Sequence, residues 1–156
     1  MDESIEERIA AVRSLHEGAL LSRDRLFELL DDGVEWWVAG DPAVFPWAGT
    51  FRGHDGVRQW SAALNAAMEY RRFELLEIFG TGDRVVEVIA AGGNARATGS
   101  PFASEVVRIW TFRGPSATVV RSFYDTHGYA AALVEPGAPE RDDVTDPRGK
   151  LAKGGS

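Results

Sequence analysis

Four ionisable side chains stand where their neighbours predict removal from water. His16 continues the apolar series Ile5, Ile9 and Val12 at helical spacing, so its ring is expected to point inward. An imidazole there, titrating near neutrality, serves as a hydrogen-bond donor or general acid, or else as a satisfied core group. Arg108 is the only charge between Val106 and Phe112, on a strand whose flanking residues read as buried on both faces. A guanidinium in that position requires a carboxylate or a ligand. If the strands at 84–91 and 104–113 pair symmetrically, Glu87 lies beside Arg108 on the same face, and the two are expected to form a buried salt bridge. Asp41, in Gly40-Asp41-Pro42, has two readings. It is a turn residue in solvent, or a carboxylate dehydrated by Trp36, Phe45 and Trp47 whose raised pKa lets it take a carbon-bound proton.

Other residues are candidates for binding rather than proton transfer. Period-two alternation on the last strand places Ser122 and Tyr124 on one face, where the tyrosine either stacks on a ligand or fills the core. Trp36, Trp47, Trp110 and Phe45 are core residues or, around a void, the walls of an apolar ligand site. His54 and His127 have no ligand spacing, so no metal is expected. Gly80-Thr81-Gly82 lacks the third glycine and following helix of a dinucleotide fingerprint, and no cofactor is expected.

These residues depend on a particular series of elements. Ile5 to Leu20 reads as an amphipathic helix, followed by a short helix through Arg25-Leu26-Phe27-Glu28-Leu29-Leu30 with Ser22 or Asp24 as cap and Asp31-Asp32-Gly33 as stop. A strand is expected at 34–38. An apolar loop follows, and then a helix capped by Asp55 whose stripe is Val57, Trp60, Leu64 and Ala67 or Met68. Strands at 70–79, 84–91, 104–113 and 117–126 are separated by turn signals at 80–83, 92–94 and 114–116, which predicts an antiparallel meander. Helices on one side of such a sheet make an α+β domain over residues 1–134. Residues 135–156 are Pro/Gly-rich and charged, and are expected to be a disordered tail.

Composition narrows the partners. The chain has 156 residues, 44% hydrophobic and 26% charged, enough for one ordinary core. Its net charge of −7 repels nucleic-acid phosphates and anionic lipids, so neither partner is expected. With no cysteine, an acidic N-terminus and no long apolar run, the expected location is the cytoplasm.

Three stretches, Phe45 to Val57, Val107 to Phe112 and Arg121 to Thr126, together resemble the SnoaL-like branch of the nuclear transport factor 2-like superfamily. Ketosteroid isomerase, scytalone dehydratase and limonene epoxide hydrolase are relatives. The resemblance covers about residues 5–134. It implies a cone-shaped α+β barrel of a strongly curved sheet, usually homodimeric, with a deep apolar pocket. It places His16 at the isomerase's oxyanion donor, Asp41 at its general base and Tyr124 at a pocket aromatic, whereas Arg108 replaces a protonated aspartate. The hydrolase's arginine and aspartates fall at Val85, Glu87 and Ser122, a weaker match. The implied function is cofactor-independent acid/base chemistry on an apolar cyclic compound. A ligand-holding domain or a dimerisation module of the same fold is the alternative.

Overall fold

In a computed structural model, residues 3–18 and 20–134 are described. The order is α1 (Glu3–Ser14), α2 (Arg23–Leu29), β1 (Leu30–Val38), β2 (Gly49–Arg52), α3 (Gly53–Ala67), β3 (Met68–Thr81), β4 (Arg84–Ala95), β5 (Pro101–Arg113), β6 (Ser116–Phe123) and α4 (Thr126–Val134). The expected tail, 135–156, lies outside the described residues. The strands make one sheet in the order β2-β1-β6-β5-β4-β3, curved but unclosed, in the α+β arrangement expected. It is mixed rather than wholly antiparallel, because β1 runs parallel to β6. No helix among the described residues is long and apolar enough to cross a membrane.

The inner face is built in cross-strand rows. Glu87 of β4 lies opposite Arg108 of β5, Arg108 opposite Ser122 of β6, and Ser122 opposite Val38 of β1. The neighbouring row is Val85, Trp110, Val120 and Trp36. All eight side chains are buried. The symmetric hairpin register expected for Glu87 and Arg108 is therefore the one formed. Trp60 of α3 packs on Trp36 with ring centroids 4.7 Å apart, joining the helix stripe to this row.

Local chemistry explains the departures from expectation. The first helix ends at Ser14, and three tight bonds, Leu15 N–H to Val12 O, His16 N–H to Arg13 O and Glu17 N–H to Ser14 O, wind the chain into a turn. His16 thus sits just beyond α1. Asp31, Asp32 and Gly33 do not stop the chain; they form an irregular stretch inside β1, where Gly33 N–H donates to Asp31 Oδ2 at 2.9 Å. Gly92 and Gly93 are not a turn but lie within the β3–β4–β5 ladder. A Cβ at Gly93 would sit 1.8 Å from the carbonyl oxygen of Glu69, so the close strand approach requires glycine. β6 ends at Phe123, three residues short of expectation, because Asp125 starts α4: its Oδ1 accepts from Gly128 N–H at 3.0 Å.

Arg8 fastens α1 to the sheet. Its Nε donates to Gly114 O at 3.1 Å and its Nη1 to Gly82 O at 2.9 Å, one carbonyl in each of two hairpin turns, while the guanidinium lies over Phe112. Arg8→Met retains the stem and removes both bonds, which should lower stability by about 1 kcal/mol in urea unfolding. Amide exchange should quicken in α1 and at both turns, with α3 unaffected.

Candidate functional site

Arg108 sits on the inner face with 3% exposure. Its Nε donates to Ser122 Oγ at 3.1 Å, and its guanidinium lies 5.3 Å from the Trp36 ring and 5.8 Å from that of Phe73. Nη1 is buried and has no hydrogen-bond partner among the described residues. Burial pushes its pKa down, while Glu87, Tyr70 and Tyr129 act in the other direction. An arginine so placed keeps its proton, and the desolvated charge is left short of an acceptor.

The expected salt bridge to Glu87 is not formed. Both carboxylate oxygens are engaged elsewhere: Oε1 lies 2.7 Å from His16 Nε2, and Oε2 accepts from Trp110 Nε1 at 2.8 Å. Those two ring nitrogens satisfy a carboxylate that is fully buried. The His16 side chain is 6% exposed and stacks on Phe73 with an interplanar angle of 9°. Its Nδ1 has no partner among the described residues.

A cavity of about 200 Å³ opens beside Arg108, between the sheet and the helices α2 and α3. Arg108, Ser122, Tyr70, Tyr124 and Tyr129 are among its lining residues, amid apolar side chains. Tyr70 and Tyr129 share a hydrogen bond of 3.0 Å between hydroxyls, and Trp47 Nε1 donates to the Tyr124 hydroxyl at 3.1 Å. These are all three tyrosines of the chain. Burial pushes Tyr70 up to about 12 despite its bond to Tyr129, and Tyr124 up to about 12 despite the Trp47 N–H. Burial, reinforced by Tyr70, also holds Tyr129 well above its ordinary value. At neutral pH the cavity therefore presents a cation and neutral hydroxyls, a surface suited to an electron-rich oxygen.

The candidate residues separate into three groups. Arg108, Ser122, Tyr124 and Trp47 line the cavity. His16 and Glu87 lie one layer behind it, with Phe73 as the intervening wall, and Trp36, Trp110 and Phe45 are core. Asp41 stands apart. It is exposed, not dehydrated, because its Oδ1 accepts from Ala43 N–H at 2.9 Å and its carbonyl accepts from Val44 and Phe45, the turn reading of Asp-Pro. Tyr70, Tyr129 and Arg23 also reach the cavity, and the sequence reading did not single them out. The clustering of Tyr70 on β3, Tyr124 in the link after β6 and Tyr129 on α4 around the cavity appears only once α4 is in place.

The SnoaL-like domain family matches residues 10–120. This chain belongs to that family. An NTF2-like protein from Burkholderia xenovorans LB400 is 25% identical, with a TM-score of 0.70 over 85% of this chain and 99% of its own. A Jannaschia sp. CCS1 protein provisionally assigned as a SnoaL-like polyketide cyclase reaches a TM-score of 0.73 at 16% identity, covering 87% of this SnoaL-like chain and 97% of its own. TerC, crystallised with polyporic acid, gives 0.69 at 24% identity over 81% and 98%. No match was found among curated proteins.

Two measurements check this arrangement. Glu87→Leu leaves His16 and Trp110 without their acceptor and should cost about 3–5 kcal/mol in urea unfolding, with Glu87→Gln costing less. Tyrosinate absorbance should rise near pH 10 in the unfolded chain, whereas Tyr70 and Tyr124 in the fold should resist until about 12. Their hydroxyls hold protons more tightly when folded, so stability is full below pH 10 and declines as pH rises from 10 to about 12.

Proposed function

We propose that this chain is a cofactor-independent acid/base enzyme of the isomerase or cyclase kind, acting on a compact apolar cyclic compound. The observation that carries the reading is Arg108: a buried, cavity-lining cation whose guanidinium is held at Nε by Ser122 and whose Nη1 has no acceptor among the described residues. A ring carbonyl directed at the guanidinium gains charge on its oxygen as a neighbouring C–H is deprotonated. The guanidinium is already fixed by Ser122 and the flanking rings, so it stabilises that charge without reorganising. The proton from that C–H passes to His16 Nδ1, the ring nitrogen without a partner among the described residues while Nε2–H donates to Glu87, once the Phe73 ring that separates it from the void turns aside. The volume of 200 Å³ is below the usual range, which starts at about 300 Å³, and favours a single-ring substrate. The crystallisation of TerC with polyporic acid supports a small-molecule ligand. The cysteine-free composition fits a cytoplasmic setting.

A second reading is a domain that holds such a ligand without turning it over. It is favoured by the cavity wall, where the lining includes no carboxylate and no imidazole among the described residues. Solvent-deuterium exchange into a panel of cyclic ketones separates the two. The enzyme reading predicts exchange, slowed by about 10²–10³ in Arg108→Gln. Binding without exchange would establish the second reading.

Assembly as a homodimer is part of the same proposal. The outer sheet face carries half-buried Val107, Ile109 and Val119, and Arg121 lies over Trp37 and Phe123. A second copy would cover this face. Light scattering should give a dimer that Ile109→Lys converts to monomer, and a monomer at all micromolar concentrations would refute it.

A further inference from the structure

Arg108 is not the only cation on the cavity wall. Arg23, at the start of α2, also lines it, but from the exposed side, beside exposed Leu20. Arg23 forms no ion pair among the described residues, in contrast to Arg25, Arg52, Arg58, Arg71, Arg72 and Arg84, each of which faces a carboxylate. The two charged residues of the lining are thus both arginines, one buried and one at the rim, in a chain whose net charge is −7. An acidic molecule meets a generally repulsive surface and a locally attractive opening.

Resting on the reading of the cavity as a substrate site, we propose that the substrate's apolar ring bears an acid group, making it a cyclic keto acid. Its carbonyl oxygen faces the Arg108 guanidinium at the inner end, and its carboxylate remains at the rim with Arg23. Arg23 is then a specificity residue, selecting acids over neutral ketones of the same shape. The buried cation cannot hold the carboxylate and also answer the charge that develops on the carbonyl, whereas two separated cations can do both. Apolar side chains between them, including Leu26 and Leu64, accommodate the ring.

Calorimetry with two compounds, oxocyclohexane carboxylate and acetylbenzoate, each beside its methyl ester, tests the assignment. The full chain should bind each acid about fivefold more tightly than its ester, with the difference diminishing as salt is raised. Arg23→Gln should erase that difference while leaving the affinity for the esters unchanged. Arg108→Gln should weaken acid and ester alike. If Arg108→Gln fails to fold, the Arg23→Gln comparison decides alone, since that residue is exposed. Equal binding of acid and ester, or a preference for acid that survives Arg23→Gln, overturns the assignment of Arg23 and leaves the cavity as a site for neutral ketones. If neither acid nor ester binds, the substrate-site reading falls and the keto acid falls with it.

Discussion

A fully buried carboxylate must find donors, and Glu87 finds two ring N–H groups before it finds a guanidinium. His16 and Trp110 occupy its oxygens, so Arg108, its direct cross-strand neighbour, is held by Ser122 and by aromatic faces. The pairing register would bring the two charges together; the side-chain hydrogen bonds keep their roles separate. Had Glu87 closed on Arg108, both charges would be internally satisfied and the inner end of the cavity would offer no free cation. The polar character of the site therefore follows from how one carboxylate is shared.

The scaffold serves that arrangement from both ends of the chain. α1 and the turn after it deliver His16 to Glu87, and Arg8 fastens the helix to the carbonyls of two hairpin turns. From the other end, Asp125 terminates the last strand and starts the helix that carries Tyr129 to Tyr70. The long ladder of β3, β4 and β5 keeps these contributions in register, and glycine at 93 lets the strands approach closely. Burial then keeps the tyrosines protonated, which makes them donors toward a ligand rather than bases.

Much of this was legible in the sequence because it rests on periodicity. The opposition of Glu87 and Arg108 follows from period-two spacing, whereas His16 and Tyr124 lie just past the ends of α1 and β6, so that periodicity pointed to the right residues on elements that stop short of them. Which donor a buried carboxylate selects does not follow from spacing, since it depends on the reach of side chains from elements distant in sequence. The glycines at 92 and 93 are misleading for a related reason: close backbone approach and tight turning call for the same residue, and only the paired strand distinguishes them. Asp41 shows the opposite case. Its local Asp-Pro chemistry outweighed the aromatic residues around it, and the carboxylate stayed in water.

Everything proposed for this cavity depends on Arg108 offering its guanidinium to a ligand oxygen. A crystal structure of the chain with a bound single-ring ketone tests it directly. The carbonyl oxygen should lie within hydrogen-bond distance of the guanidinium, with the Ser122 contact and the His16–Glu87–Trp110 cluster intact. A ketone seated in the cavity with its oxygen turned away from Arg108, or a guanidinium swung onto Glu87, would contradict it.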